Sequence, residues 1–427
     1  MSQPHELDEL FAALEEEDLL DARLAQEEAA TTATADDTDL AGNYRARLAL
    51  APRDYQTEAM EAWQAAEGRG TVVLPTGAGK TVLALMAIAR LKLRTLIIVP
   101  TIELLHQWRT AVIERLGVAP EHVGLVGDGR KDPRAITIMT YASAALPGAP
   151  IVGYGLLICD EAHHLPAPAH RSIAARSAAP YRLAITATPE RGDGAEEELY
   201  RLIGPAIYRR SPSDLAAAGH LAQFQERRIY VDLAPEEALR YGALMGEWKW
   251  FLARQRGALA KGGDSFGELI KRSGSDPAAR NALRAHHQAR MIALNAEAKI
   301  GAAARLLARH RDEKLLIFSE YTALVERASR ELGLPAITYR TAADERRRSL
   351  ERFRSGAYSK LVAGRVLNEG VDVPDARVAI VLSGNSTPRE HIQRLGRIIR
   401  PKEGQATLYE LITRHTSEVR AARRRRM

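Results

Sequence analysis

Ten short apolar runs, five between residues 71 and 189 and five between residues 315 and 412, are separated by stretches of helical pattern. The first five are TVVLP (71–75), TLIIVP (95–100), AITIMTY (135–141), LLICD (156–160) and LAITATP (183–189). The second five are LLIFS (315–319), AITY (336–339), LVAG (361–364), VAIVLS (378–383) and TLYELI (407–412). Runs of this length, rich in β-branched residues, suit strands buried on both faces. Helices between them act as crossovers joining parallel neighbours. The expected fold class is α/β, with two parallel-sheet lobes. In such sheets ligands gather at the C-terminal strand ends, where the most distinctive strings of this chain lie.

The organisation expected is an acidic, flexible arm over 1–45, a first lobe over 46–233, a helical insert over 234–295 and a second lobe over 296–427. The insert starts at Pro235, with Glu236 and Glu237 favourable to a helix N-terminus. Tyr241, Leu244, Met245, Trp248, Phe251 and Leu252 then make one apolar stripe at helical spacing. KGGDSFGE (261–268) interrupts it, and a second helical stretch begins near Pro277. In the arm, Leu7, Leu10, Phe11 and Leu14 also fall at helical spacing. The arm reads either as a solvated tail or as an acidic helix that docks a partner or masks the chain itself. Residues 1–50 hold thirteen acids and three bases, so against +6 overall the remainder is strongly basic. Such a surface attracts polyanions. The single cysteine, Cys159, allows neither a disulfide framework nor a zinc cluster and fits a reducing compartment. With no long apolar span and no leader pattern, a cytoplasmic location is expected.

LPTGAGKT (74–81) follows the first run. Gly77, Ala78 and Gly79 bring backbone N–H groups against phosphate oxygens, Lys80 neutralises phosphate charge, and the Thr81 hydroxyl suits Mg2+. LLICDEAHH (156–164) ends a strand with Asp160, expected to hold the metal, and Glu161, expected to orient and deprotonate water. The two strings imply hydrolysis of ATP with Mg2+. His163 is expected to couple this site to Thr186 and Thr188 of the TAT string. Arg53 and Gln56, ahead of the loop, suit nucleotide contact, with the Gln56 amide directed to adenine. Arg397 and Arg400, spaced i,i+3 in QRLGRIIRP (393–401), suit transition-state charge stabilisation from the second lobe, with Gln393 one turn earlier. Thr101, Thr140 and Thr341, at strand ends, suit the backbone of a nucleic-acid strand. Only the first lobe carries a phosphate loop, the layout of a paired RecA-like motor.

In this order the strings resemble superfamily-two helicases from about residue 45 onward. DEAHHLP (160–166), the helical insert, RVLNEGVDVPDA (365–376), QRLGRIIRP and LYELITRHTSEVRAARRR (408–425) narrow the resemblance to the XPB family of DNA repair helicases. That resemblance implies a DNA-dependent ATPase moving 3'-to-5', probing a single-stranded tail and duplex junction. It adds Gly370 and Asp372 to the nucleotide contacts. It makes the insert a thumb-like module gripping DNA, with Lys249 and Arg254 among its cations. It also implies a partner nuclease. Two departures are visible. The Arg-Glu-Asp string linked to DNA opening reads Arg191, Gly192, Asp193, leaving Arg191 as a DNA contact but removing the central acid. The stretch before Gln56 is also too short for the family's damage-recognition domain. A duplex translocase without strand separation and a nucleotide-gated scaffold for a nuclease therefore stand as alternatives.

Overall fold

The computed structural model describes residues 40–189, 194, 196–221, 223–255, 265–364, 376–383 and 406–424. The chain divides between His220 and Leu221 into two compact units. The described part of the first is built on β1 (Arg69–Val73), β2 (Thr95–Val99), β3 (Val123–Gly127), β4 (Arg130–Lys131), β5 (Ile136–Thr140), β6 (Leu156–Asp160), β7 (Tyr181–Thr186) and β8 (Ala206–Arg209). Their order is 4-3-5-2-6-7-1-8, and every pairing is parallel except β3 with β4. The apolar runs become the centre of this sheet, since β2, β5 and β6 are buried along their whole lengths. One face packs Leu96, Ile98, Met139, Leu157 and Cys159 against Leu165, Ile173 and Leu199. Burying each leucine or isoleucine contributes about 1.5–3 kcal/mol, so the strand ends that carry the polar strings rest on the most stable part of the unit.

Three helices set up those strand ends: α1 (Asp54–Ala65), α2 (Lys80–Leu91) and α3 (Ile102–Leu116). Helix α2 starts directly from the glycine-rich loop, with Gly79 as its N-cap at φ 74°. Strand β1 lies between β7 and β8, whereas β2 lies beyond β6, so the chain crosses over after the loop. This reversal opens the crevice where nucleotides bind in open α/β sheets.

The second unit carries β9 (Phe224–Val231), β10 (Leu315–Ser319), β11 (Ala336–Ile337), β12 (Lys360–Ala363), β13 (Val378–Ser383) and β14 (Ala406–Thr413). The order is 11-12-10-13-14-9, parallel throughout. Strands β10 to β14 coincide with the five expected runs. Strand β9 does not belong where the sequence placed it. It pairs with β14 from Phe224 opposite Ala406 to Val231 opposite Thr413. The division between units therefore falls ahead of the expected boundary at 233.

The insert comprises α4 (Pro235–Gln255), α5 (Ser265–Arg272) and α6 (Pro277–Leu294). Trp248 and Phe251 of the expected stripe are buried against Leu269, Ala279 and Ala282, with Met245, Leu252 and Leu283 packed at the margin. Alanines on the facing helix leave room for the two large rings. Asp276 caps α6 by accepting from Ala278 and Ala279 N–H. The second unit continues through α7 (Glu297–Arg309) and ends in α8 (Ser417–Arg424). Among the described residues no helix is long and apolar enough to cross a membrane.

Candidate nucleotide site

The ends of β1, β6 and β7 bring LPTGAGKT, DEAHH and TAT together. Gly77 and Gly79 sit at φ 86° and 74°, a region that disfavours side chains. A Cβ at Gly79 would lie 2.7 Å from Gln56 Nε2, so a second constraint acts there. The Lys80 ammonium reaches Glu161 Oε1 at 3.4 Å across 81 residues of sequence. His163 Nδ1 lies 3.5 Å from Glu161 Oε2 and 3.1 Å from Thr186 Oγ1. Thr186 Oγ1 in turn donates to Thr188 O at 3.2 Å and accepts from Thr188 N–H. A continuous polar chain thus runs Lys80–Glu161–His163–Thr186–Thr188. The sequence reading paired His163 with the TAT string, and the structure places them in contact.

Asp160 is held tightly. Its Oδ2 accepts from Trp108 Nε1 at 2.8 Å, and its Oδ1 accepts from Glu161 N–H at 2.9 Å. The Tyr141 hydroxyl donates to its carbonyl at 3.0 Å. Burial, and then the neighbouring Glu161 charge, raise its carboxyl to about 6. Glu161 itself adopts φ 46°, ψ 52°, a left-handed conformation costing a non-glycine residue about 1–2 kcal/mol. The turn lifts its carboxylate off the strand line toward Lys80 and His163. Burial pushes the adjacent Cys159 thiol up to about 12, which leaves it a packing residue.

The donor set suits a magnesium-bound nucleotide. The Thr81 hydroxyl and the Asp160 carboxylate are hard oxygen groups that could hold Mg2+, a cation that otherwise takes water and phosphate oxygens. The described residues hold no cluster of three or more histidine, cysteine or acidic side chains fit for a resident metal. A dication would relieve the like-charge strain between Asp160 and Glu161. Among the described residues, Thr76 Oγ1 and Thr188 Oγ1 are buried without a hydrogen-bond partner.

Gln56 sits against the phosphate loop. Its Oε1 accepts from Arg53 N–H at 2.9 Å, and its Nε2 donates to Ala78 O and Gly79 O at 3.2 and 3.3 Å. The amide is engaged by the loop and the helix start, so in this structure it braces the phosphate cradle. Arg53 Nη1 meets the Tyr55 hydroxyl and His220 O, both at 3.2 Å, and Tyr55 OH donates to Ala78 O at 2.6 Å. Trp108, Tyr141 and Tyr55 escaped the sequence reading. Trp108 and Tyr141 enter the site from a helix face and a strand end with no local spacing to link them to it, whereas Tyr55 stands directly beside Gln56.

Residues 49–191 match the family described as type III restriction enzyme, res subunit, and residues 298–402 match the helicase conserved C-terminal domain. A protein of Sulfurisphaera tokodaii named DNA 3'-5' translocase XPB2 is 43% identical over 375 residues, covering 88% of this chain and 84% of that one. The chain belongs to the XPB family of superfamily-two helicases. A Mycobacterium tuberculosis relative named DNA 3'-5' helicase XPB is 31% identical over 385 residues, which is 87% of this chain and 62% of that protein. The helicase domain of Hef from Pyrococcus furiosus shares the fold, with a TM-score of 0.56 and 20% identity over 88% of this chain and 98% of that domain.

The other XPB-type residues fall into two groups. Gln393, Arg397, Arg400, Gly370, Asp372 and Arg191 lie outside the described residues. Thr101, Thr140 and Thr341 are described, and each hydroxyl serves its own turn. Thr101 accepts from Leu104 N–H, Thr140 from Ser143 N–H and Thr341 from Thr338 N–H. Thr101 and Thr140 are helix N-caps at strand ends, so they also fix where the following N–H groups point. On α4, Lys249 is exposed and the Arg254 guanidinium lies 4.1 Å over the exposed Trp250 ring.

Proposed function

We propose that this chain is an ATP-driven DNA motor that moves 3'-to-5' and separates strands at a junction between a single-stranded tail and duplex, in DNA repair. The observation that carries the reading is the polar chain from Lys80 through Glu161 and His163 to Thr188. It ties the phosphate loop to the end of β7, so a change at the phosphate has a physical route into the sheet edge. Lys80, Thr81 and Asp160 would hold magnesium and phosphate, and the metal would supply charge neutralisation at the phosphoryl oxygens. An arriving phosphate competes with Glu161 for the Lys80 ammonium. Glu161, released from that pair and still flanked by His163, is then available to take a proton from water. Arg397 and Arg400 would complete the charge stabilisation, with Gln393, Gly370, Asp372, Arg53 and Gln56 contributing nucleotide contacts. DNA would be followed by the helix starts behind Thr101 and Thr140, by Thr341 and Arg191, and by Lys249 and Arg254 of the insert. A cytoplasmic setting and a nuclease partner complete the proposal, the latter supported by family resemblance alone.

A second reading keeps the motor without strand separation. Gly192 stands where the family's opening element has an acid, and the 43% identical relative is named a translocase. Strand displacement separates the readings. On duplexes with a 3' or a 5' single-stranded tail, the helicase displaces strands from the 3'-tailed substrate alone. DNA-stimulated hydrolysis with no displacement from either favours the translocase, and displacement from the 5'-tailed substrate contradicts the polarity.

A further inference from the structure

The most deeply buried ion pair among the described residues lies in the second unit, between Lys299, outside the motifs above, and Glu418, inside the string LYELITRHTSEVRAARRR but given no role so far. Lys299 and Glu418 expose 0% and 2% of their side chains. Lys299 Nζ donates to Glu418 Oε1 at 2.7 Å, to Glu418 Oε2 at 2.8 Å and to Leu382 O at 2.7 Å. Glu418 Oε2 also accepts from Thr413 N–H at 2.8 Å. Removing two charges from water is costly, and an apolar pair of similar volume often stabilises a fold as well or better. The pair therefore calls for an account based on position.

Its surroundings supply one. Thr413 ends β14, and its hydroxyl donates to Ala293 O at 2.7 Å, in the last turn of α6. Ser417 N–H, at the start of α8, donates to the Tyr241 hydroxyl of α4 at 2.9 Å. Thr416 Oγ1 closes the turn on Thr413 O at 2.8 Å and accepts from Glu418 N–H. Both long helices of the insert are thus fixed near their bases to one short turn, residues 413–418. The ion pair fixes that turn to Leu382, at the C-terminal end of β13. Ser383 Oγ then meets Ser319 Oγ of β10 at 2.7 Å. The C-terminal edge of a parallel sheet is its ligand-facing edge, and the chain leaving β13 runs on to QRLGRIIRP.

We infer that Lys299 and Glu418 are positioning residues that couple the insert to the nucleotide-facing edge of the second unit. A load on α4 and α6 displaces the 413–418 turn, and the pair transmits that displacement to the end of β13. The inference rests on the DNA-motor reading, with the insert in contact with DNA.

Two variants of the full chain test it. Removing one charge leaves the other buried and uncompensated, so the informative change is the double variant Lys299→Met/Glu418→Leu, which keeps the volume and removes the tie. Thr413→Val keeps the ion pair and removes only the bond to Ala293. ATP turnover is measured with increasing single-strand–duplex junction DNA, with thermal melting and DNA affinity alongside. The expected result for both is a cooperative melt, native turnover without DNA and native DNA half-saturation, but a DNA-stimulated kcat lowered about tenfold. Native stimulation in either folded variant, or a fall confined to melting temperature, overturns the inference. If the unaltered chain shows no stimulation by DNA, the motor reading itself fails, and the two failures are told apart by that control.

Discussion

Glu161 occupies a left-handed backbone position because Asp160 must stay on the strand while its neighbour turns toward Lys80. Replacing it by glutamine keeps the shape and removes the proposed base. We expect Glu161→Gln to lower kcat for ATP hydrolysis by about 10²-fold or more, with ATP and DNA binding retained, as read by single-turnover kinetics and equilibrium titration. Asp160 offers a pH test. Its folded value of about 6 lies above the ordinary 3.8, so the folded state binds more protons between those values and loses stability as pH rises through that window. Relative to Asp160→Asn, the native protein should lose about 2 kcal/mol of unfolding free energy between pH 4 and pH 6.5 in urea titrations. A constant difference would mean that Asp160 titrates normally. The phosphate loop and the acidic pair were legible because their chemistry is compact in sequence. Trp108 and Tyr141 were not, since each reaches Asp160 from a separate element. The bonds from the Gln56 amide to Ala78 O and Gly79 O are a matter of orientation that residue type does not determine.

At the scale of elements, nine of the ten apolar runs announced strands inside the sheets, because buried parallel strands need apolar residues on both faces; the tenth, AITY, is the edge strand β11. The strands that escaped notice are edge strands or contain glycine. Strand β3 reads VGLVG, and β9 reads FQERRIYV, half-exposed and charged, with Arg228 paired to Glu410 of β14 at 3.1 Å. Charge on an edge strand discourages pairing with other chains and erases the hydrophobic signal. That is why the unit boundary was expected too late. The insert obeyed helical spacing, and its small core gives a clear prediction. Trp248→Ala removes the largest side chain between α4 and α6 and should cost about 3–5 kcal/mol locally. Hydrogen exchange should show α4 and α6 losing protection while β1, β6 and β7 keep theirs.

For the whole molecule, charge is divided unevenly along the chain. Residues 1–39 contain thirteen acids and one base, while the full chain is +6, so the remaining residues are far more cationic than the total suggests. Deleting residues 1–39 should tighten DNA binding at low salt, and the advantage should shrink toward zero as ionic strength approaches about 0.5 M. Fluorescence anisotropy across a salt series measures this, and equal affinities at all salts would show that the arm does not screen the basic surface. The XPB family assignment and the polar chain at the end of the first sheet lead to one central claim: hydrolysis here is driven by DNA. The most direct measurement is steady-state ATP turnover by the full chain with and without a 3'-tailed duplex, with Glu161→Gln as the blank. Turnover that rises steeply on adding DNA and vanishes in the variant is the result this account predicts. Turnover indifferent to DNA, or surviving in Glu161→Gln, would contradict it.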